Sequence, residues 1–307
     1  MATIDIRPYQ SDDLHPVHAL IAEATRVDGT PHVTHAELRA IADPERTTAV
    51  ALLRDDGSAA EARIVGAARW DGADQQGAIL NGWVHPAFRG QGVGSALVEH
   101  AITTAKATGA SEMTTRIYQD VPNGLSLFTT NGFVEERRFL AMWRDLDDSL
   151  LDPPQPPPGV TICPYQPETD AQAVYEADSE AFNTAWRVQS QSFDLWQTRM
   201  ASHDDPALWA IAWMGERVAG VCISRRSDYG SKPNDGWIGH LGVRSDYRGL
   251  GIGRFLLYEA FSRLRRARFD RAGLHVDSLN TPARALYESA GLVIKRERLH
   301  MVRDLRR

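Results

Sequence analysis

Arg89-Gly90-Gln91-Gly92-Val93-Gly94 and Arg248-Gly249-Leu250-Gly251-Ile252-Gly253 are two copies of one glycine-rich loop, 159 positions apart. The same interval relates Gly132 to Gly291, and Met142-Trp143-Arg144-Asp145-Leu146 to Met301-Val302-Arg303-Asp304-Leu305. Near the starts, Ile6-Arg7-Pro8-Tyr9-Gln10 answers Ile162-Cys163-Pro164-Tyr165-Gln166 at an interval of 156, so a small insertion separates the copies. A period this long, present twice, means duplicated domains rather than a solenoid. The expected domains are residues 1–148 and 160–307, joined by 149–159. That joint contains Asp152-Pro153-Pro154-Gln155-Pro156-Pro157-Pro158-Gly159, which reads as an extended, semi-rigid spacer because proline fixes φ and removes a donor.

The chain has 307 residues, 43% of them hydrophobic and 24% charged, with a formal net charge of −6. Each half is long enough to bury its own core. The acidic balance argues against a nucleic-acid partner, which needs clustered Lys and Arg, and mildly favours a cationic or neutral small substrate. The two cysteines, Cys163 and Cys222, have no metal-ligand spacing, so no metal is expected, and nothing requires them to pair. No secretory leader and no apolar run of about 18 residues is present, so the expectation is a cytoplasmic protein without a membrane partner. No signal for an oligomeric state is present.

Periodicity gives both halves one element order. In the second half, strands are expected at 160–164, 208–214, 217–224, 237–243, 273–277 and 293–302, and helices at 170–182, 193–200, 254–268 and 282–289. In the first half, strand 79–84, the loop, helix 95–108, strand 113–118, helix 123–130 and strand 133–144 follow suit. The class is α+β, with one βαβ unit at the centre of each half.

Glycines at alternate positions let successive backbone N–H groups turn toward one anion, and the helix that starts at once adds its own unpaired donors and dipole. Together these form a pyrophosphate cradle, with Arg248 at the entry adding positive charge. A P-loop would need Gly-Lys-Ser/Thr at its end, and neither copy has the lysine. The dinucleotide fingerprint places its third glycine where Ser95 and Arg254 stand, and it opens its domain rather than lying beyond the middle.

Arg248-x-x-Gly251-x-Gly253 and Arg89-x-x-Gly92-x-Gly94, each followed by an amphipathic helix, resemble the acetyl-CoA signature of the GNAT superfamily of N-acetyltransferases. Asn280-Thr281-Pro282-Ala283-Arg284-Ala285-Leu286-Tyr287-Glu288-Ser289-Ala290-Gly291-Leu292 resembles that family's second motif. The likeness is strongest over 237–292 and weaker but continuous over 78–133. It implies two tandem GNAT-like domains, each a mixed, mostly antiparallel sheet flanked by helices, an arrangement also found in mycothiol synthase. It implies acetyl-CoA as co-substrate, held by Leu241, Gly242, Val243, Arg248, Gly249, Leu250, Gly251, Ile252, Gly253, Arg254, Asn280, Ala283 and Arg284. In the first copy the corresponding residues are Val84, Arg89, Gly90, Gln91, Gly92, Val93 and Gly94.

Acetyl transfer from a thioester to an amine needs a neutral amine, a stabilised oxyanion and a protonated leaving sulfur. The resemblance gives Tyr287 the general-acid role; 159 positions earlier stand Phe128, which has no proton to give, and, opposite Asn280, Val121. The second copy is therefore expected to be catalytic, and the first a structural partner. Relatives place Glu or His on the strand before the loop, where this chain has Trp237. By alternation His240 falls on the opposite face, and imidazole titrates near neutral pH, making it the leading base candidate ahead of His275 and Asp277. A backbone N–H around Leu241 to Val243 would serve the oxyanion. Trp186, Trp196, Trp209, Trp213 and Trp237 could line an acceptor pocket or fill a core. The expected reaction is direct attack of a small-molecule amine on acetyl-CoA. The alternatives are a non-catalytic acyl-CoA-binding sensor or scaffold and, among enzymes, a mycothiol-synthase-like acetyltransferase acting on an amino-sugar thiol precursor. Acceptor choice is assigned to segments 14–48 and 170–206.

Overall fold

The computed structural model describes residues 3–29, 47–54, 63–71, 77–121, 123–150, 152–187, 191–201, 205–227 and 234–306. Parts of both acceptor segments, 30–46, 188–190 and 202–204, lie outside the described residues. The chain forms two compact units, one of Met1–Leu140 with Arg296–Arg307, the other of Ala141–Lys295. This grouping differs from the boundaries expected at 148 and 160. Residues 141–148 and the proline tract belong to the second unit, and 296–307 belong to the first.

The first unit contains β1 (Thr3–Pro8), β2 (Thr47–Arg54), β3 (Arg63–Asp71), β4 (Ala78–Val84) and β5 (Glu112–Tyr118), in that order across the sheet. Its sixth strand is the C-terminal part of β12 (Val293–Asp304), antiparallel to β5 from Arg298–Tyr118 to Asp304–Glu112. Helices α1 (Leu14–Asp28), α2 (Val93–Ala107) and α3 (Gly124–Thr130) flank this sheet. The apolar residues of α2 recur at helical spacing, so Val93, Leu97, Val98, Ala101, Ile102 and Ala105 are buried along one stripe. Leu299, Met301 and Leu305 complete the same core, alongside Met113, Phe128 and Phe133.

In the second unit the order is β6-β11-β10-β9-β8-β7, from the C-terminal part of β6 (Val134–Asp145), β7 (Val160–Cys163), β8 (Ala210–Met214), β9 (Arg217–Arg226), β10 (Asp235–Val243) and β11 (Arg271–Asp277). Its helices are α4 (Pro167–Phe182), α5 (Phe193–Ala201), α6 (Ile252–Arg266) and α7 (Thr281–Ser289). The end of β6 is held tightly here. A Cβ on Gly273 would sit 2.7 Å from the Trp143 indole, so only glycine fits under that ring. Arg144 donates to the Ala290 carbonyl, and 159 positions on, in the first unit, Arg303 donates to the Asn131 carbonyl at 2.5 Å. Each unit is thus closed by the strand that ends the other repeat in sequence. No described helix is long and apolar enough to cross a membrane.

Candidate active site

In the second unit, β10 and β11 run parallel and pair only over Asp235–Arg271 to Trp237–Gly273. Beyond Trp237, β10 continues to Val243 paired with β9 alone, so its other edge opens toward the β11 side. Arg244 donates its N–H to Ala219 on β9 at 3.0 Å, and alternation turns the N–H groups of Val243 and Leu241 to that open edge. These are the backbone donors expected for an oxyanion. The first unit opens the same way, its parallel pairing of β4 with β5 limited to Ala78–Met113 through Leu80–Thr115.

The glycine loop follows. Gly249 and Gly251 have φ of +80° and +82°, and Gly90 and Gly92 have +74° and +87°, all in the region that favours glycine. A Cβ on Gly249 or Gly90 would meet nothing within 4 Å, so the loops are bare backbone facing open space. Gly251 caps α6, which begins two residues earlier than the sequence pattern gave, at Ile252. The first intrahelical bond is from Phe255 to Gly251, at 3.1 Å, leaving the amides of Ile252, Gly253 and Arg254 as the helix's N-terminal donors. In the first unit Ala96 bonds Gly92 and leaves Val93, Gly94 and Ser95 in that role. Both cradles fit a pyrophosphate.

The two loop arginines differ. Arg248 ties the loop down, donating from Nε to the Val243 carbonyl at 3.2 Å and from an η nitrogen to the Ala181 carbonyl at 3.5 Å. Arg89 makes the equivalent bond to Val84, but both its η nitrogens are held by the Asp28 carboxylate at 2.6 and 3.0 Å. Its charge is thus paired with a carboxylate at the end of α1, whereas Arg248 meets backbone carbonyls.

Tyr287 lies on α7 and is 8% exposed. Burial pushes its hydroxyl well above the ordinary tyrosine range, with the nearby Cys222 adding to the effect. The proton stays on the phenol across the whole physiological range. Cys163 and Cys222 are free thiols, and burial pushes that of Cys222 up to about 12, so it is inert. Asn280 is the N-cap of α7, its side-chain oxygen accepting from the Ala283 N–H at 3.2 Å. Arg284 donates to the Ser278 carbonyl at 3.2 Å and approaches Glu288 at 3.5 Å. Asn280, Ala283 and Arg284, expected at the cofactor, thus hold the helix start.

His240 sits where no alternation argument put it. The register pairs Ile238 with Ser224 and His240 with Ile223, so Gly239 bulges out. One extra residue flips everything before it. Trp237 and His240, opposite Arg225 and Ile223, therefore share a face, and the expectation of opposite faces is corrected. Trp237 packs against Trp143 and His275, with ring centroids 5.6 and 4.8 Å apart. On α4, beside that face, Asp178 bonds His240 Nδ1 through both carboxylate oxygens, at 2.8 and 3.0 Å. Sequence reasoning missed Asp178: it lies 62 positions from its partner, in no motif.

Among the other base candidates, Asp277 accepts the Leu279 and Asn280 N–H groups and so forms a turn, while His275 abuts Trp237. Trp196 and Trp209 are core residues, each 1% exposed. In the first unit the positions of Tyr287 and His240 are Phe128, packed on Phe133, and Asn81.

The sequence model of the acetyltransferase (GNAT) family matches residues 14–133 and 171–292. The mycothiol acetyltransferase of Geodermatophilus obscurus is 31% identical over 287 residues, covering 90% of this chain and 89% of that protein. That of Thermobispora bispora is 28% identical over 296 residues, covering 94% and 95%. Among solved structures, a GCN5-related N-acetyltransferase from Sphaerobacter thermophilus has a TM-score of 0.75 at 26% identity over 98% of this chain and 96% of that one. A tandem GNAT protein from the clavulanic acid biosynthesis pathway shares the fold, with a TM-score of 0.73 at 18% identity over 99% of both chains. Two matches to one domain model, repeat and fold agreeing, make this chain an acyltransferase enzyme that belongs to the GNAT family and carries its domain twice in tandem.

Proposed function

We propose that the protein transfers an acetyl group from acetyl-CoA directly to the primary amine of a small molecule, and that the second unit does so. The observation that carries this is the contrast between the copies. Both keep the glycine cradle and the opened strand pair, but only the second has proton-carrying groups, Tyr287 and His240, where the first has Phe128 and Asn81. The cradle amides from Gly249 to Arg254 hold the pyrophosphate, and the Leu241 and Val243 N–H groups receive the developing oxyanion. His240 takes the proton released as the C–N bond forms. Tyr287 protonates the departing sulfur. Its raised pKa is no obstacle, because a thiolate in the same buried surroundings is raised as well. The relatives' name, mycothiol acetyltransferase, supports a small-molecule acceptor.

The test is a panel of primary amines incubated with acetyl-CoA and scored by thiol released. The expected result is turnover with some amines that His240→Gln and Tyr287→Phe both depress. Binding of acetyl-CoA with no amine acetylated would favour a sensor and sink the enzyme reading of this site.

A further inference from the structure

Taking His240 as the proton acceptor leaves one buried carboxylate to be explained. Asp178 is 4% exposed on α4, and a carboxylate is not kept in such a place without partners, since removing it from water is costly. It has two fixed partners. One is His240 Nδ1; the other is the Trp196 indole, which donates to the second carboxylate oxygen at 3.0 Å. Trp196 is itself held in a cluster of rings, with Tyr175 at 5.8 Å, Phe193 at 6.3 Å and Trp209 at 6.5 Å. Phe182 packs against the imidazole at 5.5 Å. The neighbouring acids of α4 are occupied elsewhere: Glu180 approaches Arg244 at 3.4 Å and accepts from Ser245, and Glu176 lies 3.9 Å from Arg244.

We propose that Asp178 is the positioning residue for His240, fixing its tautomer and ring orientation so that Nε2 keeps a lone pair for the attacking amine. The proposal rests on the function given above. A carboxylate only accepts hydrogen bonds, so Nδ1 carries a hydrogen, and in the neutral ring the lone pair is left on Nε2. The imidazole side chain is 22% exposed, so one edge is sealed on Asp178 while the ring still reaches the surface. As the C–N bond forms, Nε2 takes one N–H proton of the amine; the C–S bond breaks, and sulfur receives the Tyr287 proton. The products are the amide and the free thiol. Asp178 keeps its charge throughout and stabilises the imidazolium. The bulge at Gly239 makes this possible, since it places His240 on the α4 face together with Trp237, which occupies a position where the family resemblance implies Glu or His. The chain has moved its base, and Asp178 comes with the new position.

The experiment reads the tautomer directly, from long-range 1H–15N spectra of 15N-labelled full-length protein, with His240 assigned by loss of its signals in His240→Gln. The expected result is a neutral Nδ1–H imidazole in the wild type and a shift toward Nε2–H in Asp178→Asn. Thiol release with the best amine of the panel should fall about ten- to a hundredfold in Asp178→Asn, with KM for acetyl-CoA within about twofold, and recover in part in Asp178→Glu. An Nε2–H tautomer in the wild type overturns the proposal, as does full turnover in Asp178→Asn. The wild-type spectrum, once assigned with His240→Gln, needs neither Asp178→Asn nor an acceptor, so it decides even if Asp178→Asn does not fold. Full turnover in His240→Gln would instead overturn the base assignment itself, whatever the tautomer.

Discussion

At the scale of single residues, one difference between the copies is a single oxygen atom. Tyr287 and Phe128 fill equivalent buried positions, and only the first carries a proton. Tyr287→Phe should lower kcat about a hundredfold or more while leaving acetyl-CoA affinity within about twofold, measured by thiol release and calorimetry. Because burial raises the phenol's pKa, its protonated form persists above the usual tyrosine value of about 10. The kcat profile of the wild type should therefore show no alkaline loss from this group below about pH 10. Such a loss, absent from the Phe variant, would mean that the hydroxyl ionises far more easily than its surroundings allow. As the proposed acid, Tyr287 stands out in the sequence because it lies in a motif and has a repeat counterpart to be compared with. Asp178 does not. Its meaning comes from contacts with His240 and Trp196, and no spacing encodes a contact between elements that distant along the chain.

Among the elements, the loops and their helices matched the sequence pattern closely, since glycine and amphipathic spacing are local signals. Strand β10 did not, because alternation assumes an unbroken ladder and Gly239 breaks it. In the first unit β4 pairs with β3 without interruption from Gly66–Val84 to Asp71–Ile79, so only the second copy re-aims its strand. The Arg89–Asp28 pair is a second such divergence, invisible until α1 is placed beside the loop. These differences predict unequal responses to one substitution. Gly251→Val forces a β-branched residue to φ +82° and fills the cradle, so acetyl-CoA affinity should fall at least about tenfold with turnover. Gly92→Val, at φ +87°, should leave turnover within about twofold. Thermal melts of both variants separate local strain from unfolding. Loss of activity only in Gly92→Val would assign the chemistry to the first unit.

For the molecule as a whole, the repeat was legible but its closure was not. The segments ending β6 and β12 carry nearly the same residues, Met-Trp-Arg-Asp-Leu and Met-Val-Arg-Asp-Leu, so either could complete either sheet and the sequence alone does not choose. The structure gives each to the unit begun by the other copy. Burying Leu299, Met301 and Leu305 contributes about 1.5–3 kcal/mol apiece to the first unit, and together that rivals a domain's whole margin of about 5–15 kcal/mol. Removing residues 296–307 should therefore unfold the N-terminal unit before the C-terminal one, seen as early loss of hydrogen-exchange protection in α2 and β5. Earlier loss in α6 and β10 would contradict the assignment of that strand.

The order of synthesis gives this exchange a cost in time. Domains ordinarily fold as they leave the ribosome, at about 5–20 residues per second. The N-terminal unit has no C-terminal β12 strand until all of 141–295 has been added, a wait of about eight to thirty seconds. Through that interval the unpaired side of β5 offers its N–H and C=O groups to any extended chain nearby. The first such segment to emerge is the chain's own Met142-Trp143-Arg144-Asp145-Leu146, a near copy of the strand end still to come.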